Sequence, residues 1–137
     1  MLRAFYLLIG LFFFTNIFAQ YEDAYKIPYP RRLKVLDSLI EVKIIGLSNT
    51  AIIDQVNLFE QIAKHNNDER AIVFSKIVRF SEERKQKKIT SDEANATFTN
   101  IVNECDELAY APLKALAYLS LGNYYYSNQE QKSTSYY

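Results

Sequence analysis

The residues able to do chemistry in this chain are few, and their spacing limits what each can do. There is one histidine, His65, and one cysteine, Cys105, far apart in the sequence, so the close-set ligands of a zinc site are missing. His65 stands in His65-Asn66-Asn67-Asp68, where a helical pattern stops. A cation is favoured at a helix C-terminus, so His65 reads as a surface cap rather than a metal ligand or general base. Cys105 lies between Val102 and Leu108 on an apolar stripe, where a thiol packs as a small hydrophobe and stays inert. A single cysteine also excludes an intramolecular disulfide. The run Arg79 to Lys88 sets Arg84, Lys85, Lys87 and Lys88 against Glu82 and Glu83. Such a run could touch phosphates, but cations gathering at the end of a helix explain it without a ligand. Asn95-Ala96-Thr97 has the form of a glycosylation acceptor but falls inside a helical pattern, and it is set aside. No glycine-rich phosphate loop, nucleophile elbow or catalytic carboxylate pair occurs. The chain is therefore not expected to be an enzyme, and no catalytic, cofactor or metal site is assigned.

Tyr124-Tyr125-Tyr126 differs from these, because one helix cannot bury three consecutive rings on one face. Tyr124 and Tyr125 are expected to pack, leaving Tyr126 turned to solvent or to a partner. Tyrosine suits interfaces, so Tyr126 is the candidate contact residue, with ordinary packing between helices as the alternative.

The elements that would position these residues are helices. Three glycines and three prolines leave little material for hairpins and tight turns. Residues 20–29 are polar and tyrosine-containing without a clear period and read as a flexible leader. Pro30 suits a first helical turn, and Leu33, Leu36, Leu39 and Ile40 then recur at spacings of three and four over Arg31 to Val42. After Gly46 and the cap candidates Ser48 to Thr50, a second helix carries Ile52, Val56, Phe59 and Ala63 and ends near His65. Asp68 is the expected N-cap of a third helix with Ile72, Val73, Phe74, Ile77 and Val78, running out to Lys88. Thr90-Ser91-Asp92-Glu93 has capping-box spacing and opens a fourth with Ala94, Phe98, Ile101, Val102, Cys105, Leu108 and Ala109. Ala111-Pro112 is expected to interrupt it, since proline cannot donate to the preceding turn. A fifth helix holds Leu113, Leu116, Ala117, Ser120, Leu121 and Tyr124, and Asn128-Gln129 could turn the chain into a sixth. Short links force neighbours to run antiparallel, so residues 30–137 are expected to form an all-α domain of helical hairpins.

Ahead of these elements, Arg3 and the apolar run Ala4 to Phe14 form the n- and h-regions of an export signal. Ile17-Phe18-Ala19 suits cleavage before Gln20. The run is short for a membrane span, and no cysteine follows it to carry a lipid anchor. Removing residues 1–19 leaves about 118 residues, the size of one domain. The 16 basic and 16 acidic residues cancel, so no global field would draw this segment to nucleic acid.

In Tyr118-Leu119-Ser120-Leu121-Gly122-Asn123-Tyr124-Tyr125, an aromatic precedes a Leu-Gly pair by three residues and a tyrosine follows the glycine by three. This resembles the first helix of a tetratricopeptide repeat. The resemblance implies that Gly122 lets a neighbouring helix approach closely, with Leu121 and Tyr125 filling the groove between the two helices of one repeat. Pro112, ten residues before Gly122, takes the place of a proline closing the preceding repeat. Lys132-Ser133 and Tyr136-Tyr137 stand where the second helix has its small residue and aromatic pair. The match covers 112–137. Asn128 or Gln129 replaces the usual turn glycine, and Ile72 to Ala109 is at most a degenerate repeat without Leu-Gly.

A signal, a divergent helical stretch and then repeats is similar to the exported sensor regions of bacterial histidine kinases and helix-turn-helix regulators. In those families the repeats precede a membrane helix and an output domain. The resemblance implies an N-terminal piece of a longer periplasmic or extracellular signalling protein, holding a peptide or protein partner on stacked hairpins and needing no cofactor. Its link to the membrane would come only through the signal or a downstream helix. Three hairpins are about the minimum for such a stack, so a chain from Gln20 to Tyr137 is expected to be unstable or aggregation-prone by itself. The alternative is a small secreted helical bundle with a structural or ligand-carrying role.

Overall fold

The chain's structure, a computed structural model, describes residues 21–86 and 89–127. All regular structure among the described residues is helical. A short helical stretch at 21–25 is followed by α1 (Arg31–Ile44), α2 (Asn49–His65), α3 (Glu69–Gln86), α4 (Ser91–Glu107) and α5 (Ala111–Ser127). The export signal of residues 1–19 and the expected sixth helix beyond Asn128 lie outside the described residues. The chain divides into two compact units, Met1–Ile45 and Gly46–Tyr137.

In the first unit the residues read as a leader behave differently from expectation. The stretch 21–25 is helical, and Tyr21 and Ala24 are buried. Five residues are too few to display a helical period, so only packing could reveal this element. Burial pushes the Tyr21 phenol up to about 12. Arg32 ties this segment to α1. Its guanidinium donates to the carbonyls of Ile27 (2.7 Å) and Tyr25 (2.8 Å) and lies over the rings of Tyr29 and Tyr25, 4.8 and 5.4 Å from their centroids. Of the expected stripe α1 buries Leu33, Leu36 and Ile40 and leaves Leu39 half-buried. Beyond its end Gly46 has φ +77, with nothing within 4 Å of where a Cβ would stand. The left-handed backbone, rather than crowding, calls for glycine there.

In the second unit α2, α3 and α4 each start where a side chain satisfies a free N–H group. Ser48 accepts from the Ala51 amide at the start of α2, and Asp68 from the Ala71 amide (3.0 Å) in the first turn of α3. At α4, Thr90 and Glu93 form the reciprocal capping box. α2 ends at His65, as its pattern predicts. Asn67 adopts φ 50, and the Asn66 amide and side chain both donate to the Ile62 carbonyl. α4 stops earlier than the sequence suggests. Its last helical residue is Glu107, and Ala109 turns the chain with φ 47, so the reversal precedes Ala111-Pro112. Pro112 instead sits in the first turn of α5, where a missing N–H costs nothing.

α3 is the hub of this unit, packing on α2, α4 and α5, while α4 also packs on α5. This explains why α3 buries Ala71, Val73, Phe74, Ser75, Ile77 and Phe80, more than a single face supplies. Phe59 of α2 meets Phe74 edge-on at 5.9 Å. Ser81 of α3 and Ser120 of α5 share a hydrogen bond of 2.6 Å. The residues on which an all-α core depends are inside: Phe98, Ile101, Leu121 and Tyr125 are all buried.

Candidate functional site

The tyrosine-rich helix α5 divides its rings between core and solvent according to register. Leu121, Gly122 and Tyr125 are buried, and Tyr118, half-buried, meets Phe98 of α4 edge-on at 5.0 Å. A buried phenol needs a partner for its hydroxyl. The Tyr125 hydroxyl donates to Asn95 Oδ1 on α4 (2.7 Å), and the Tyr124 hydroxyl to the Ile89 carbonyl (2.8 Å). Asn95, the formal glycosylation asparagine, therefore holds two helices together. Tyr126, one step further round, is 74% exposed.

With Tyr126 on the outer side of α5 lie Pro112, Ala115, Leu119 and Asn123, all exposed and none charged. The one charged residue of α5 is Lys114, which pairs with Asp106 across the α4–α5 turn at 2.7 Å. A helix apolar on its inner side and uncharged on its outer side differs from the usual surface helix, whose outer stripe is charged.

The other residues singled out from sequence fall elsewhere and do not converge. His65 is the exposed last residue of α2, beside Lys64, at the negative end of the helix dipole. Cys105 is buried. That burial pushes its thiol up, and Asp106 and Glu104 add to the effect against Lys114. The basic run does not act only as a solvated helix end. Arg79 reaches sideways to α2, donating to Asn57 Oδ1 (2.8 Å) and pairing with Glu60, and Arg84 donates to the Ser81 carbonyl (3.1 Å).

One feature of the surface escaped the sequence reading. A groove of about 240 Å³ runs between the first turn of α3 and the last turn of α4, lined by Glu69, Ile72, Val73, Glu104, Glu107 and Leu108. Its sequence signal is the acidic end of α4. Glu104, Asp106 and Glu107 crowd the last turn without a base, where the helix dipole disfavours anions. Lys76 of α3 pairs with Glu104 at 2.5 Å. Among the described residues, no group of three or more His, Cys, Asp or Glu is arranged to hold a metal ion. No helix among them is long and apolar enough to cross a membrane.

Set against family models, curated proteins and solved structures, the chain matches none of them.

Proposed function

We propose that this chain is a non-catalytic interaction or sensor module of an exported bacterial signalling protein. In this reading its tetratricopeptide-like hairpins hold a peptide or protein partner. The repeat-like packing would be carried by Pro112, Tyr118, Leu121, Gly122 and Tyr125, with Tyr126 as a partner contact. The observation supporting this most is the uncharged outer face of α5, where Leu119 and Tyr126 stand in solvent beside a helix that carries one charge. Apolar surface in water is unfavourable unless something covers it.

The test is site-specific photo-crosslinking in the exporting cell, with a benzophenone amino acid placed at Tyr126 or, as control, at Asp54 on the exposed side of α2. A discrete crosslinked partner at 126 and none at 54 is expected. No adduct at 126, or the same adducts at both positions, overturns the reading. Export is checked separately: the protein recovered outside the cytoplasm should begin at Gln20.

The hub position of α3, touching three other helices, favours a second reading as a small secreted helical bundle with a structural or ligand-carrying role. Codons downstream of Tyr137 separate the two. Further repeats followed by a membrane helix support the module, and an immediate stop supports the bundle.

A further inference from the structure

The end of α4 is built against the dipole rule that the end of α2 obeys. α2 closes on Lys64 and His65, cations at the negative pole of its dipole, whereas α4 closes on Glu104, Asp106 and Glu107 with no base in its last turn. Two of these anions are answered from neighbouring helices, Glu104 by Lys76 and Asp106 by Lys114. Glu107 is exposed and, among the described residues, has no ion-pair partner. Across the groove Glu69 is likewise without one among the described residues. The positive pole of α3 accounts for Glu69 but leaves Glu107 unexplained. Arg70, the cation next to Glu69, lies over the Tyr110 ring at 4.3 Å.

Between Glu107 and Glu69 the groove has an apolar lining of Ile72, Val73 and Leu108, with Val73 buried and the other two half-buried. At about 240 Å³ it is smaller than the roughly 300–1,000 Å³ of small-molecule sites, and suits one long side chain. Apolar wall and anionic rim together match a side chain with a methylene stem and a cationic head.

We propose that this groove receives an arginine or lysine side chain of a partner peptide, its stem against Ile72, Val73 and Leu108 and its cation at Glu107 and Glu69. The proposal rests on the reading of the chain as a peptide-binding module and names the chemistry of what it binds. A guanidinium between two carboxylates gains charge-assisted hydrogen bonds that a neutral side chain of the same shape lacks.

The probe is a capped heptapeptide with one central arginine among alanines, titrated into the full chain carrying labelled Ile, Leu and Val methyls. Its comparison is the same peptide with citrulline, which keeps the shape and loses the charge. Saturable shifts at Ile72, Val73 and Leu108 are expected with arginine. Affinity should fall at least tenfold with citrulline, in Glu107→Gln, or when salt rises from 50 to 500 mM. Unchanged Leu121 and Ile101 methyls verify that the variant is folded. Equal binding of citrulline, undiminished binding by Glu107→Gln, or no shift at the three methyls overturns the proposal. Shifts at Leu116 and Leu119 of α5 without any in the groove would remove the slot and leave the module reading standing. An unoccupied groove together with a silent Tyr126 crosslinker would remove both.

Discussion

The hairpins α2–α3 and α4–α5 are built on similar apolar stripes but finished differently. The first is closed by Phe59 against Phe74. Its rim follows the rules of an ordinary soluble helix pair, with Arg79 paired to Glu60, Glu60 to Lys64, and basic residues at the α2 terminus. The second is joined by tyrosines. Tyr125 reaches Asn95, Tyr118 meets Phe98, and the outer side of α5 carries no charge while α4 ends in three acids. Where a surface obeys dipole and polarity rules, stability is enough to explain it. Where it departs from them, the departures are the places to look for a partner. Both departures lie in the second hairpin, and the two proposals above rest on them.

The largest expected effect tests whether the hairpins are one structure. Phe59→Ala in the first should cost about 3–5 kcal/mol and Leu121→Ala in the second about 2–5 kcal/mol, from lost burial and the cavity left behind. Because α3 packs on both sides, each variant should shift a single urea transition seen alike by circular dichroism and tyrosine fluorescence. Two separated transitions would mean the hairpins are independent. Next, Asp68→Ala removes a buried cap between α2 and α3 and should cost about 0.5–2 kcal/mol in the same titration. Tyr125→Phe is expected to cost about 0.5–1.5 kcal/mol by leaving Asn95 without its donor. If Tyr125→Phe costs nothing, the tyrosines serve as apolar rings and the contrast between the hairpins weakens.

The smaller effects are electrostatic. At Glu60, burial works against the anion, but Lys64 and Arg79 outweigh it and hold its carboxyl below the ordinary value. A folded-state value lower than the unfolded one gives stability that is present above the ordinary carboxylate range. That stability is lost as pH falls through the lowered value. Acid unfolding followed by circular dichroism should therefore show a shallower pH dependence in Glu60→Gln. The smallest expected change is also the sharpest test of the contrast. Glu107→Lys places a cation at the negative pole of α4 and should raise stability by about 0.3–1 kcal/mol at low salt. It should at the same time abolish the arginine-peptide shifts in the groove. A loss of stability instead would mean that the acidic end of α4 already serves the fold.

Much of the architecture is written in local pattern. The stripe of α4 as far as Cys105, its capping box, the end of α2 at His65, the cap at Asp68 and the exposure of Tyr126 against the burial of Tyr124 and Tyr125 follow from period and cap chemistry. Those act within a turn or two of chain. The candidate contact on α5 was legible for the same reason, since three consecutive rings cannot share one face. The groove was not. Its walls come from the start of α3 and the end of α4, about thirty-five positions apart in the sequence, and nothing local to either says that they meet.

The sequence by itself determined that the described part of this protein is helical and where most of the helices begin. Hydrophobic spacing and capping residues act on the chain that carries them. Tertiary structure alone decided that Tyr21 and Ala24 are buried, that α4 turns at Ala109 before reaching the proline, and that Arg79 crosses to α2. It also decided that α3 would be the hub and that Glu107 would face an apolar groove. Each of these depends on a partner distant in sequence or on competition among several surfaces for one face, which residue spacing does not record.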